Sequence, residues 1–227
     1  MWRSNVRPFP DRVAGGVALA RQLQQYAGRD DVIVLALPRG GVPVACEVAR
    51  ALRVQLDVFL VRKIGAPGHE ELAVGAIASG GVRVLDRELV RSLGITDADI
   101  EHITAIEQTE LERRERLYRA GRQPLDVSGR TVILVDDGLA TGSSMRAAIR
   151  AVREQHPARV VVAAPVGARS TCEVLEREVD EVVCAAMPEP FRAVCLWYET
   201  FSQTTDDEVE ALLRAAAAIP AAKGAAP

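Results

Sequence analysis

The sequence predicts an α/β fold, a parallel twisted sheet with helices on both faces and a helical insertion or hood beside it. Three observations carry that expectation. Short continuous apolar runs recur, VIVLA at 32–36, TVILV at 131–135 and RVVVAAP at 159–165; a strand covered on both faces needs no polar side. Most such runs lead through a turn into helically spaced apolar residues, the strand–loop–helix rhythm of parallel crossovers. Residues 86–120 break that rhythm with a polar, strongly helical stretch.

The elements follow in order. Asp11 precedes Val13, Val17, Ala20 and Leu23 at helical spacing, so a helix opens near Asp11 within 9–27. The strand 32–36 ends at Pro38-Arg39-Gly40-Gly41, a tight turn. A helix over 42–52 and a strand over 56–61 come next. Residues 62–85 hold glycines, a proline and charges, with only two short β-like pieces, VGAIA and GVRVL. In 86–120, Ile100, Ile103, Ile106, Leu111 and Leu117 form an apolar stripe, and Thr96 with Asp99 fits a capping box. Sustained heptads are missing, so this piece is expected to pack on the core as an insertion. The strand 131–135, a helix from about 143 to 154, the strand 159–165, a helix near 170–178 and the strand 180–185 complete the pattern. One domain is expected over 1–213, with a low-complexity tail over 214–227 that frays.

Composition excludes several function classes. The 48% apolar content fills a core, and the formal net charge of −3, with both signs mixed along the chain, lacks the basic face of a nucleic-acid binder. Cys46, Cys172, Cys184 and Cys195 form no C-x-x-C pair and sit among apolar neighbours, so buried, reduced thiols are expected. The three histidines are scattered, and no H-E-x-x-H pattern is present. The N-terminal residues contain no apolar run of signal-peptide type, and no run is long enough to span a bilayer, so a cytoplasmic protein is expected.

The chemistry concentrates in VILVDDGLATGSSMRAAIRAV, 132–152. Ligands of open parallel sheets bind at the carboxyl ends of strands, where Asp136 and Asp137 stand. Thr141, Gly142, Ser143 and Ser144 then supply hydroxyls, successive N–H groups and a helix N-terminus, a set suited to a phosphate dianion. A Walker loop would need a lysine after its second glycine, and G-x-G-x-x-G is absent. Helix capping alone does not account for two adjacent acids after a buried strand.

This segment resembles the ribose-phosphate motif of type I phosphoribosyltransferases: apolar strand, two acids, a short link and a T-G-[GS]-[ST] turn. The resemblance covers about residues 30–185. It implies that Asp136 and Asp137 contact the ribose 2- and 3-hydroxyls and that Ala140, Thr141, Gly142, Ser143 and Ser144 bind the 5-phosphate. Pro38-Arg39-Gly40-Gly41-Val42 resembles the family's pyrophosphate loop, with a non-proline cis peptide expected at Arg39-Gly40. Arg62 and Lys63 occupy the start of the mobile loop and are the catalytic candidates for pyrophosphate contact. Glu70 or Glu71 is the acid that would orient a nucleophile or a metal-bound water, with Glu71 the catalytic candidate. Near the C-terminus, Phe191 after Pro188-Glu189-Pro190 resembles the base-stacking Phe of the hypoxanthine-guanine branch. The lysine which reads a purine oxo group there has no counterpart in 165–171. Phe191, Trp197, Tyr198 and Phe201 cluster in a chain only 4% aromatic; core packing is the other reading.

The resemblance implies a glycosyltransferase of nucleotide metabolism that moves phosphoribosyl from 5-phosphoribosyl-1-pyrophosphate to a nitrogenous acceptor. Pyrophosphate leaves C1 through an oxocarbenium-like transition state. Magnesium is implied, held through substrate oxygens with Asp136 and Asp137 as the available carboxylates. Closure of 63–75 would exclude water. The partners implied are these small molecules and, from relatives, a second copy in a homodimer, with no nucleic acid or membrane. The alternative is a regulatory protein that binds the same diphosphate without catalysis.

Overall fold

A computed structural model describes residues 7–119, 123–124 and 126–217, without the side chains of residues 70, 71 and 217. Five strands, β1 (Val32–Ala36), β2 (Gln55–Val58), β6 (Thr131–Val135), β7 (Arg159–Val166) and β8 (Glu181–Ala186), form a parallel sheet in the order β2-β1-β6-β7-β8. The apolar runs sit at its centre because each residue faces one of two cores in alternation. Val32, Val34 and Ala36 of β1, with Ile133 and Val135 of β6, join a core with α1 (Arg12–Gln22), α2 (Gly41–Leu52) and α7 (Asp206–Ala217). Ile33, Leu35, Val132 and Leu134 join the opposite core with α5 (Ser143–Arg153) and α6 (Arg169–Leu175). Each fully buried Val, Leu or Ile contributes about 1.5–3 kcal/mol relative to exposure. Helices therefore cover both faces, as the sequence predicts.

The strand expected over 56–61 divides in the structure. β2 stops at Val58, and Val61 opens β3 (Val61–Ala66), which pairs antiparallel with β4 (His69–Ala78), itself paired with β5 (Val82–Leu85). Residues 62–85 thus form a complete three-stranded sheet rather than two short pieces. Sequence pattern underrates it because glycines and a bulge around Gly65 interrupt the alternation. Packing of the sheet on α4 (Asp97–Arg119) and α5 supplies what local propensity lacks.

The 86–120 stretch forms α3 (Arg87–Ser92) and α4. The capping box is present: the Thr96 N–H donates to Asp99 Oδ2 at 3.1 Å, and the Asp99 N–H donates to Thr96 Oγ1 at 3.2 Å. Ile100 and Leu111 of the stripe are buried, whereas Ile106 is exposed. Arg119, at the end of α4, pairs with Asp57 and donates to the Val58 carbonyl at 2.9 Å, tying the insertion to β2. α7 runs to Ala217, across the start expected for the tail, and residues 218–227 lie outside the described ones. Among the described residues, no helix is long and apolar enough to cross a membrane.

The strand order sets the position of the site. From β1 the chain crosses one way to β2 and later returns on the other side as β6. The crevice of such a sheet opens at the carboxyl ends of those two central strands.

Candidate functional site

The loops leaving β1 and β6 meet at that crevice. The Leu37 N–H donates to the Val135 carbonyl at 2.8 Å, which brings Gly40 and Gly41 against the two acids. A Cβ on Gly40 would lie 2.0 Å from Asp137 Oδ2, and one on Gly41 would lie 3.3 Å from Asp136 Oδ1. A side chain at position 40 would displace the Asp137 carboxylate from Arg12, so glycine keeps that pairing intact. A cis peptide is present in this loop at Pro38-Arg39, one residue before the Arg39-Gly40 bond expected from the resemblance.

Asp136 and Asp137 are held differently. Asp136 Oδ1 accepts the Asp137 N–H at 2.8 Å. Loss of water around it, and then the neighbouring Asp137 charge, push the Asp136 carboxyl well above the ordinary range. Desolvation also raises Asp137, against the pull of Arg12. Arg12 Nε donates to Asp137 Oδ2 at 2.8 Å, with both side chains at most 15% exposed. The same guanidinium donates to the Ser202 carbonyl at 2.7 Å and lies 3.9 Å from the Phe201 ring centroid. Tyr198 donates its hydroxyl to the Asp137 carbonyl at 2.6 Å and stacks on Phe201 at 5.2 Å. Phe9 pairs with Tyr198 as an isolated β-bridge. The two terminal segments therefore grip the acidic loop.

Further along, Leu139 bridges to Gly167, and Thr171 of α6 donates to the Ala140 carbonyl. Gly142 is the N-cap of α5 with φ +70, and a Cβ there would meet Thr171 Cγ2 at 2.8 Å. Thr141 and Ser144 are exposed, Ser143 is half-buried, and the Ser143 N–H points at Thr141 Oγ1 at 3.4 Å. Thr141 and Ser143 line a cavity of about 190 Å³ together with Arg146 and Arg150 of α5. The first N–H groups of this helix have no partner within it. The turn thus presents hydroxyls and amides with Arg150 beside them, chemistry suited to a phosphate, while Arg146 pairs with Glu178 at 2.7 Å.

The remaining candidates fall elsewhere. Arg39 lies 3.7 Å from Asp206 at the start of α7, and Asp206 accepts the Tyr118 hydroxyl. Arg62 Nε pairs with Glu107 of α4 at 2.5 Å. Lys63 lines a cleft of about 390 Å³ between the β3–β4 hairpin and α4, with Pro67, Asp99, His102 and Glu107. Neither the 39–41 loop nor the 136–144 loop contributes to that cleft. Glu70 and Glu71 have side chains outside the described residues. Phe191 is half-buried just after the cis Glu189-Pro190 bond and is not in the Phe9–Tyr198–Phe201 cluster. Of the cysteines, Cys195 is exposed and Cys46 and Cys184 are half-buried, so the expectation of four buried thiols holds fully for Cys172 alone.

Sequence reasoning missed Arg12, Asp206, Arg146 and Arg150. Arg12 follows a helix cap and reaches an acid 125 positions away, so no local pattern marks it. Arg146 and Arg150 had a signal: spaced by four, they share one face of the helix that the phosphate turn opens.

A family model described as the phosphoribosyl transferase domain matches residues 4–190. "Putative phosphoribosyl transferase Rv0571c" of Mycobacterium tuberculosis (strain ATCC 25618 / H37Rv) is 44% identical over 205 residues, 90% of this chain and 46% of that protein. The chain thus spans about half the length of that relative. "Bifunctional protein PyrR" of Roseiflexus sp. (strain RS-1) is 33% identical over 162 residues, 70% of this chain and 66% of that protein. Among solved structures, TT1426 from Thermus thermophilus is similar at 44% identity with a TM-score of 0.82, over 91% of this chain and 97% of that one.

Proposed function

The chain belongs to the phosphoribosyl transferase domain family, and we propose that it transfers phosphoribosyl from 5-phosphoribosyl-1-pyrophosphate to a nitrogenous acceptor, releasing pyrophosphate. One observation carries this reading: the contact of Gly40 and Gly41 with the Asp136-Asp137 carboxylates. It supports a single crevice in which the 38–41 loop faces a pyrophosphate while two acids face ribose hydroxyls. The Thr141–Ser144 turn then takes the 5-phosphate.

The role of the protein in such a reaction is mainly positioning. Charge builds on the departing pyrophosphate, and fixed donors stabilise it without reorganising. Asp136 and Asp137 orient the ribose hydroxyls and bear the cationic C1 centre beside them. As two adjacent carboxylates beside the phosphate turn, they also suit a hard cation that draws most of its ligands from substrate and water. Magnesium, when bound, supplies charge neutralisation on the diphosphate. We place this chemistry in the cytoplasm, with small molecules as ligands and a second copy as the candidate partner.

A second reading, binding of the diphosphate by a regulator without transfer, is favoured by the pairing of Arg39 with Asp206 and of Arg62 with Glu107. Both arginines have internal carboxylate partners. Calorimetry with the diphosphate and magnesium tests the site. Wild type binds, and Asp136→Asn/Asp137→Asn loses binding; equal binding by both removes the assignment. A screen of nitrogenous bases for pyrophosphate release then separates the two readings, because binding with no release by any acceptor selects the regulator.

A further inference from the structure

Beneath the phosphate turn, Cys172 Sγ of α6 lies 3.1 Å from Cys184 Sγ of β8. That is inside the usual separation of two non-bonded sulfurs, and about 1 Å of movement brings it to the bond length near 2.05 Å. Gly167 makes the approach possible. A Cβ on it would stand 2.8 Å from one sulfur and 2.9 Å from the other. The pair is joined to the phosphate turn by short links. Gly167 bridges Leu139, the Ala168 N–H donates to the Leu139 carbonyl at 2.8 Å, and Thr171, next to Cys172, donates to the Ala140 carbonyl.

We propose that Cys172 and Cys184 form an oxidisable dithiol, a modification site whose reactant is a hydroperoxide and whose product is a disulfide beneath the phosphate turn. One thiolate attacks the peroxide, forming an S–O bond as the O–O bond breaks, and yields a sulfenic acid with one water or alcohol. The second thiolate attacks that sulfur, the S–S bond forms, and the oxygen leaves as water. Two thiols lose two electrons in total, and the peroxide gains them. Either thiol can donate to the other across this contact, and the thiolate of the acceptor is favoured by that hydrogen bond. Half-buried Cys184 marks the side from which a small oxidant enters. Closing the bond draws α6 onto β8 and carries Thr171 away from the Ala140 carbonyl. The turn then loosens.

The site stands on its own geometry; only an effect on phosphoribosyl diphosphate binding rests on the function proposed above. The test uses the full chain carrying Cys46→Ser/Cys195→Ser, which leaves both sulfurs of the pair in place. Hydrogen peroxide should abolish all free thiol and yield a Cys172–Cys184 linked peptide on non-reducing digestion. Amide exchange across 139–144 should become faster by about fivefold or more, the scale of an ordinary coupling between sites. Dithiothreitol should reverse both changes, and Cys184→Ala should show neither. Sulfinic or sulfonic acids without a linked peptide, or a disulfide between two molecules, overturn the site. A linked peptide with exchange unchanged or slower overturns the coupling to the turn. None of these readouts needs the diphosphate, so failure here is distinguishable from failure of the proposed function.

Discussion

Asp136 contributes an unfavourable charge to the fold and a useful one to the site. In the folded chain its carboxyl holds a proton more tightly than in the unfolded chain, where its value is near 3.8. The native state is therefore favoured on the acid side, and stability falls as pH rises from that ordinary value through the raised one. Asp136→Asn should stabilise the fold at pH 7 by on the order of 1 kcal/mol and flatten this fall. Urea midpoints between pH 4 and pH 8 check it, and a variant less stable than wild type at pH 7 would contradict it. Arg12 acts in the other direction. Arg12→Ala leaves Asp137 without its partner in a nearly closed environment, which should cost on the order of 2–5 kcal/mol. Arg12→Lys should recover only part of that loss, since a lysine cannot reach Asp137 and the Ser202 carbonyl with one planar fork. The strand-end position of Asp136 and Asp137 and the turn at Gly40 and Gly41 are legible in the sequence because each belongs to a short contiguous motif. Arg12 is not, since its meaning lies in a contact between distant segments.

At the scale of elements, the strands at 32–36 and 131–135 and the cap of α4 follow from local pattern alone. Thr96→Ala should cost about 1 kcal/mol through loss of that cap, measurable as a lowered urea midpoint. The β3–β5 sheet shows where pattern fails: Gly65, Gly75 and the Pro67-Gly68 turn break its alternation, and packing on α4 and α5 restores it. α7 has a role that its amphipathic sequence does not announce. Its first residue, Asp206, stands between Arg39 and the Tyr118 hydroxyl. Asp206→Asn should release Arg39 from a competing carboxylate. Affinity for inorganic pyrophosphate should rise about two- to fivefold, the scale of a half-exposed ion pair. Titration calorimetry reads that change, and unaltered affinity would remove Arg39 from the pyrophosphate contacts.

For the whole molecule, one parallel sheet separates two cores, and the central strands supply alternate residues to each. Ile133→Ala and Leu134→Ala, adjacent in sequence, therefore damage opposite faces. Each should cost about 2–5 kcal/mol, and the double variant should be close to the sum because the two side chains pack into different cores. Denaturant unfolding of the three variants tests this; a large departure from additivity would mean the two faces communicate through the strand. The same sheet order opens the crevice between β1 and β6, so the site is a consequence of the topology.

Periodicity and short motifs alone specify the parallel α/β core, the two acids at a strand end and the hydroxyl-bearing turn that opens a helix. Those features depend on periodicity and on residues within about ten positions of one another, which a chain displays before it folds. Packing of distant segments places Gly40 against Asp137, pairs Arg12 and Asp206 with the two loops, and brings Cys172 to Cys184 beneath the turn. It also turns Arg62 and Lys63 toward α4 rather than toward the acids. These outcomes depend on which elements become neighbours. Crossovers settle that by burying apolar faces, a global balance that no single segment encodes.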